Sequence, residues 1–463
     1  MAASHDTHVI FGRLQMNKLK RILKKIGVDT SIAYSSGSKI LTGGSGFITI
    51  FFISLFLNEE EQGFYYTFGS IIALQVFFEL GLTNIVTQFI AHENAHIIWK
   101  KDRITGGDAL HISRLGHMLK FTKKWYSIIS LLFFISILSG GIWFFYRYSP
   151  SSDYHLWIGP WMLVVSATAV NLFITPFLAI LDGIGKIAQT SKIKFYQQLI
   201  IPIITWGAFI CHGGLYVVGI GQWCAVIIVI ILIKRSELWQ ILKEINTINI
   251  SEKIDYLKEV FPYQWKIALS WASGYFVFQL FNPILFATSG PIVAGQMGMS
   301  LTAINGIGAF TTSWITTKVP MFSKLIALRN YLQLDDLFNT TMKQLSIICG
   351  TMLIAFLCFI IVINYFNLPI ASRFLGILPF ILLEIAVFAN QHGNGWAIYL
   401  RCHKKEPLLI NSIVGAITCG LSTIILGKMY GVIGMVGGYC ILRIILTYWN
   451  YVVYKKKKKE WHS

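Results

Sequence analysis

Long apolar blocks separated by short polar stretches fill almost the whole chain, and the two-residue alternation of a membrane barrel is missing. About 20 apolar residues carry a helix across the hydrocarbon core, where exposed backbone polar groups are not tolerated. The pattern predicts an all-α membrane protein with about twelve transmembrane helices. The blocks are 40–57, 65–92, 126–147, 156–182, 195–211, 215–233, 267–288, 292–317, 344–364, 374–396, 407–427 and 430–454.

The composition supports a membrane protein and excludes an ordinary soluble one. Hydrophobic residues make up 55% of the 463 positions and charged residues only 13%, whereas soluble domains carry nearer 25% charged residues. The formal net charge is nevertheless +18, so the positions of the cations decide what they mean.

Lysine and arginine follow the positive-inside rule. With the N-terminus inside, the predicted outer loops carry only Arg147, Arg373 and Lys428, whereas every inner segment is basic. We therefore expect both termini in the cytoplasm and an even number of spans. The same distribution makes the charge a topology signal and a contact with anionic lipid, and it argues against nucleic acid as a partner.

The longest polar gap near the middle of the chain divides the predicted spans six and six. Two inner segments are also amphipathic, with apolar residues at helical spacing: Leu19, Ile22, Leu23 and Ile26 in the first, and Leu238, Ile241, Leu242 and Ile245 in the second. Both are expected to lie on the cytoplasmic membrane surface. The predicted organisation is a basic N-terminal segment (1–38), a six-helix bundle (39–233), an amphipathic connector (234–266), a second six-helix bundle (267–454) and a basic tail (455–463).

Charged residues are scarce inside the predicted spans. Only Glu79, Glu384 and Arg443 lie near the middle of an apolar block. A charge at that depth is costly, so it either faces a substrate or ion path or belongs to a structural pair. Both interpretations stay open for Glu79 and Arg443, while a structural role is favoured for Glu384.

Uncharged polar residues in the spans add candidates for the same path, with inter-helix hydrogen bonding as the alternative for each. They include Gln279, Asn282, Gln296 and Asn305. Gln279 and Asn282 share one helix face because they are three residues apart. Pro283 follows and predicts a kink in the seventh span.

One motif has the spacing of a zinc site. His92, Glu93 and His96 fit H-E-x-x-H, which places two histidines on one helix face with the glutamate as general base. An intramembrane metalloprotease using these residues is therefore a minor alternative. A protease leaves about twelve uniform spans unexplained, and the motif is more simply the solvated inner end of the second span.

Other enzymatic signatures are missing from the sequence. It contains no P-loop, no G-x-S-x-G elbow, no CxxC pair and no large soluble domain for ATP hydrolysis. We therefore expect a protein that is not an enzyme and needs no cofactor. Any transport would be secondary, with Na⁺ or H⁺ as possible coupling ions.

The middle of the chain carries more specific motifs: FPYQWKIALSWASGYF (261–276), GPIVAGQMGMS (290–300) and FSKLIA (322–327). Together with EQGFYYTFGSIIALQVFFELGL (61–82) and QFIAHE (88–93), they resemble the bacterial polysaccharide flippases of the Wzx type. These flippases are in the MOP superfamily, which also contains the MATE exporters and the lipid II flippase MurJ. The resemblance extends over nearly the whole chain.

This resemblance implies two six-helix bundles around a central cavity in the bacterial inner membrane. Its implied cargo is an undecaprenyl-pyrophosphate-linked oligosaccharide such as an O-antigen unit, and its implied partners are membrane lipids, glycosyltransferases and a polysaccharide polymerase. Arg443 would contact the pyrophosphate, with Lys39 at the inner mouth and Arg147 and Arg373 at the outer side sharing that role. Glu79 would couple to an ion or pair with Arg443.

A MATE-like exporter of small amphipathic compounds is the alternative within transporters. An acidic cavity would favour that exporter, whereas a cationic, sugar-sized cavity would favour the flippase.

Overall fold

A computed structural model describes residues 30–100, 102–149, 154–403 and 405–462. Nearly all of these residues are helical. The helices are α1 (Thr30–Phe56), α2 (Glu59–Ile72), α3 (Gln75–Glu79), α4 (Leu82–Asn94), α5 (Ala109–Tyr148), α6 (Ile158–Gly183), α7 (Ile187–Ile210), α8 (Tyr216–Arg235), α9 (Glu237–Thr247), α10 (Phe261–Phe278), α11 (Phe281–Ser289), α12 (Pro291–Thr316), α13 (Val319–Ala327), α14 (Tyr331–Tyr365), α15 (Ile377–Cys402) and α16 (Leu409–His462).

Each predicted apolar block is covered by one or more of these helices except for a few residues at its ends or at helix breaks. Within the described residues, seven helical segments are long and apolar enough to cross a membrane. The multi-pass helical class is therefore confirmed. The count of about twelve spans, the two six-helix bundles and the cytoplasmic termini stay predictions.

A short sheet interrupts the helical pattern between α4 and α5. Strands β1 (Ile97–Lys100) and β2 (Arg103–Gly107) pair antiparallel, with Lys100 opposite Arg103. Asp102 in the turn has a left-handed φ of 64°, which suits an aspartate in a tight turn. This hairpin is not predicted from the sequence, which indicates helices alone, because strands of four and five residues carry little periodicity.

The seventh span is broken where the proline predicts a kink. Helix α10 ends at Phe278 and α11 begins at Phe281. Pro283 has no N–H to donate to the carbonyl of Gln279, four residues earlier, and its ring crowds that carbonyl. The break therefore falls one helical turn before the proline.

The last two predicted spans form one hairpin without a loop. Helix α16 runs for 54 residues, but Gly431 inside it has non-helical angles of φ 58° and ψ −143°. The two arms then run back along each other, since Asn411 donates to the Asn450 side chain at 2.6 Å and a Cβ on Gly427 would meet Met435. Gly431 is the turning point because side chains at other residues disfavour such angles.

The apolar stripe of the amphipathic connector is covered differently from the prediction that it lies on the membrane surface. Leu238, Ile241, Leu242 and Ile245 of α9 are all buried, and α9 packs against α5 and α8. Protein rather than lipid therefore covers this stripe. The other amphipathic segment, Leu19 to Ile26, lies outside the described residues.

Candidate functional site

A cavity of about 1240 Å³ lies between α1, α7 and α12, with Met352 of α14 at its edge. We call it the central cavity. Its walls come from the middle of α1, the first half of α7 and the middle and second half of α12. The α7 and α12 walls therefore extend toward the same end of the molecule, the end predicted to face the cytoplasm.

Helix α7 gives the cavity a polar wall, formed by Ser191, Lys194, Gln197 and Gln198. These positions are three to four residues apart, so they lie on one face of the helix. The Lys194 ammonium is 2.7 Å from a carboxylate oxygen of Asp182, and the Gln197 amide donates to Asn171 Oδ1 at 2.8 Å. The wall is thus fixed by bonds to α6 while its remaining donors and acceptors can face a cargo.

Helix α12 supplies a second polar wall of small side chains: Thr302, Asn305, Thr312, Ser313 and Thr316. Thr312 donates to Gln391 Oε1 at 2.7 Å, which connects this wall to α15. Hydroxyls and amides can both donate and accept, so the wall suits a neutral, hydroxyl-rich group such as a sugar.

Helix α1 leaves room at the third wall because glycines face the cavity. Gly43, Gly44 and Gly46 line it, and a Cβ on Gly44 would meet no atom within 4 Å. Phe47 follows them and packs over Gly306 of α12. This part of α1 therefore adds volume and little chemistry.

At the other end of α12, its beginning is in close contact with the beginning of α2, and we call this region the closed end. A Cβ on Gly63 of α2 would lie 2.1 Å from the carbonyl oxygen of Pro291, at the start of α12. Gly295 fits against the Gly63 backbone, and Gly298 lies under the Tyr66 ring. Small residues allow two backbones to approach in this way, and any side chain at Gly63 would force them apart.

Polar contacts complete the closed end. Arg373 donates to the Leu57 carbonyl at 2.7 Å, and Gln62 donates to the Arg373 carbonyl at 3.0 Å. Gln296 donates to the Ser372 carbonyl at 2.9 Å, and Ser372 donates to Glu59 at 2.6 Å. The turn Pro369–Arg373 thereby holds the beginnings of α2 and α12 together.

The structure separates the residues that the sequence proposes for a path. Asn305 lines the central cavity, and Lys39 is on α1 next to the lining residue Ser38, although its side chain lies outside the described part of the chain. Gln296 and Arg373 belong to the closed end. Arg147 is exposed at the end of α5 and does not line the central cavity.

The two candidates of the broken seventh span have different surroundings. Asn282 is buried and donates to Ser70 Oγ of α2 at 3.0 Å, which is the inter-helix contact weighed as its alternative. Gln279 is half-buried at the break itself.

The three intramembrane charges also lie apart. Glu79 accepts a hydrogen bond from Thr83, and Arg443 lies over the Phe278 ring with 6.0 Å between guanidinium and ring centroid. Among the described residues no ion pair joins Glu79 to Arg443. Glu384 is 6% exposed in α15, and one of its carboxylate oxygens has no hydrogen-bond partner in the described residues.

Several lining residues are not predicted from the sequence, because the prediction rests on charged residues at the middle of apolar blocks. Lys194 lies just before the block 195–211, and hydroxyl side chains like those of α12 are common in membrane helices. The periodic stripe Ser191, Lys194, Gln198 was the available signal, because a polar face on a membrane helix needs a polar neighbour.

The buried glutamate of the H-E-x-x-H motif forms a polar cluster with the side chains of two residues of α5. Glu93 is 2% exposed, and its carboxylate lies 2.5 Å from His111 Nδ1 and accepts from Arg114 at 3.0 Å. Arg114 also pairs with Glu259 and holds the pKa of that carboxyl below its usual value. The Glu259 contact thus stabilises the fold at neutral pH, and this contribution is lost as the pH falls through the lowered pKa.

We expect Glu93→Ala and His96→Ala to behave differently. Removing the buried Glu93 carboxylate takes away a hydrogen-bonding partner of both Arg114 and His111. It should lower the unfolding free energy by about 3 kcal/mol. His96 is exposed, and its ring contacts in the described residues are with the rings of His111 at 4.1 Å and His92 at 6.1 Å, so its loss should change little. Thermal unfolding in detergent would measure stability, and metal analysis would measure bound zinc. Loss of bound zinc in both variants with stability intact would instead support the zinc site.

Comparisons with known proteins match the chain through its structure alone. No protein-family model matches it, and no curated protein matches it by sequence. An inward-facing MATE multidrug transporter of the MOP superfamily matches with a TM-score of 0.62 at 15% identity, covering 93% of this chain and 95% of that one.

Two further solved structures match over similar lengths. A MOP superfamily transporter from Pyrococcus furiosus, described by the reverse polarity of its binding pocket, has a TM-score of 0.56 at 15% identity and covers 94% of this chain and 97% of that one. An outward-facing MATE transporter has a TM-score of 0.55 at 15% identity with the same coverage. The chain therefore has the fold of the MOP superfamily transporters.

Proposed function

We propose that this protein is a secondary transporter that moves an undecaprenyl-pyrophosphate-linked oligosaccharide across a bacterial inner membrane by alternating access. The observation that carries the proposal is the chemistry of the central cavity. The polar part of its described lining consists of hydroxyls, amides and one lysine, without an aspartate or glutamate. An acidic cavity would favour the cation exporter and a cationic, sugar-sized cavity the flippase, and this lining is nearer to the second.

The lining fits the two polar parts of such a cargo. Sugars present many hydroxyls, which the amides of Asn305, Gln197 and Gln198 can meet with paired hydrogen bonds. The pyrophosphate is anionic, and Lys194 is the cation in the described lining of this wall. Asp182 holds Lys194 at 2.7 Å, so the ammonium is oriented while its other protons stay available to phosphate oxygens.

The closed end supports the direction of loading. Residues 57–63 and 291–296 meet at the end predicted to be periplasmic, while the central cavity lies toward the end predicted to be cytoplasmic. The match to the inward-facing MATE structure, with a TM-score of 0.62, is also higher than the 0.55 for the outward-facing one. Both observations fit a transporter ready to take cargo from the cytoplasmic leaflet, and opening of the closed end would complete the cycle.

The energy source and partners belong to the same proposal. Because the sequence offers no site for ATP hydrolysis, Na⁺ or H⁺ would drive the exchange. Glu79 and Glu384, the carboxylates near the middle of predicted apolar blocks, could bind such an ion. Glycosyltransferases would supply the cargo on the cytoplasmic side, and a polymerase would consume it on the other.

Reconstitution tests the cargo directly. We expect proteoliposomes containing the protein to move a fluorescent lipid-linked oligosaccharide from one leaflet to the other, measured as loss of protection from an external glycosidase. Asn305→Trp should block this movement by filling the cavity. If the proteoliposomes leave the oligosaccharide in place and instead accumulate an organic cation, the exporter is correct and the flippase is wrong.

A further inference from the structure

A second cavity, of about 640 Å³, lies between α5, α6, α8 and α9. Its walls are almost entirely apolar and include Phe173, Phe177, Ile174 and Ile230. It shares no lining residue with the central cavity. A cargo in the central cavity would therefore leave this one unfilled.

Three lysines stand around this apolar cavity: Lys123 from α5, Lys234 from α8 and Lys243 from α9. All three are exposed, and none forms an ion pair within the described part of the chain. Lys243 lies 5.6 Å from the centroid of the Trp239 ring, which also lines the cavity. The cavity thus combines an apolar interior with three uncompensated positive charges and an indole.

This combination is complementary to one class of molecule. An acyl chain fills an apolar cavity, and a phosphate diester is attracted by several lysines near the membrane surface. Tryptophan favours the boundary between hydrocarbon and water. The lysines also lie on segments predicted to face the cytoplasm, so the phosphate would sit at the level of the cytoplasmic headgroups.

We propose that this cavity binds an anionic phospholipid of the cytoplasmic leaflet, with an acyl chain between α6 and α8 and the phosphate among Lys123, Lys234 and Lys243. The lipid would fasten α9 to the helices it packs on. Helix α9 belongs to the connector between the two halves of the chain, so the bound lipid would act where the halves join.

The position of this cavity favours a membrane lipid, rather than the polyprenyl tail of a cargo, as its occupant. The cargo's sugars and pyrophosphate belong in the central cavity, formed by α1, α7 and α12, whereas this cavity is walled by α5, α6, α8 and α9. A resident lipid needs no connection between the two.

The test compares lipids on the purified full-length protein by native mass spectrometry and thermal unfolding. We expect phosphatidylglycerol to bind and to raise the unfolding midpoint, since a ligand of the folded state stabilises it, while phosphatidylcholine does neither. The triple variant K123Q/K234Q/K243Q should bind phosphatidylglycerol roughly 100-fold more weakly, because each lysine near a phosphate contributes roughly fivefold.

A matched variant, K192Q/K253Q/K324Q, removes the same charge from exposed lysines away from the cavity and should keep the binding. Val170→Trp fills the apolar part and should reduce binding while leaving all lysines in place. Equal losses in both triple variants would overturn the proposal as non-specific attraction. Displacement of phosphatidylglycerol by much lower concentrations of undecaprenyl phosphate would also overturn it, because the site would then take the carrier lipid.

Discussion

Gly63→Ala should reduce transport at least tenfold. The new Cβ would stand 2.1 Å from the Pro291 carbonyl oxygen, and contacts under 3.0 Å essentially never occur at real Cβ atoms. Since the obstacle is backbone, α2 and α12 must separate at the closed end, and a transporter that cannot close one side leaks or stalls. Proteoliposome transport measures the loss.

A labelling experiment distinguishes this cause from general damage. Ala294 is fully buried at the closed end, so a cysteine placed there in a background without the seven native cysteines should resist a membrane-impermeant maleimide. Gly63→Ala should make it reactive. Gly69→Ala is the matched control on the same helix, because a Cβ there meets nothing within 4 Å; if Gly69→Ala were equally damaging, close packing at Gly63 would not be the reason.

Lys194→Glu should lower transport of a pyrophosphate-linked cargo by roughly tenfold, about 1.4 kcal/mol. The change replaces the cation of the α7 wall by a carboxylate beside Asp182, so two like charges would face an anionic cargo. The Lys194 side chain is 45% exposed, and solvent screening keeps the expected effect at this moderate size. The initial rate of oligosaccharide movement measures it.

Lys192→Glu provides the comparison for this charge reversal. Lys192 is on the same helix, is exposed, and lies over Tyr196 at 5.8 Å rather than along the cavity. We expect it to retain nearly normal transport, as should Lys194→Arg. Equal rates in Lys194→Glu and the unaltered protein would exclude Lys194 from cargo binding.

The helices follow from the sequence because burial in lipid leaves a strong signal. Every predicted apolar block is helical, and the break before Pro283 falls where the missing N–H requires it. The ends are less predictable: α5 begins at Ala109, well before the block at 126, because its polar first turns are held by Asp108 as the N-cap and by protein contacts. The sequence predicts that lipid covers the apolar stripe of α9, whereas protein covers it. Periodicity shows that a helix face is apolar, but it does not show what covers that face.

The site was harder to predict for a related reason. Isolated charges within the predicted spans indicate Glu79, Glu384 and Arg443. A charged residue within a span can form a structural contact between helices as well as bind a cargo. Asn305 is predictable because it is a polar amide within an apolar block. The glycines at 43, 44 and 46 gave no chemical signal, since their contribution is empty space that depends on the partner helices.

The loop-free turn at Gly431 has a consequence for how the chain enters the membrane. Asn411 meets Asn450 and Gly427 meets Met435 across this turn, so the contacts that pair the two arms join residues close in sequence. Local contacts form early because little chain entropy is lost in closing them. We expect the last two spans to insert together as a preformed hairpin.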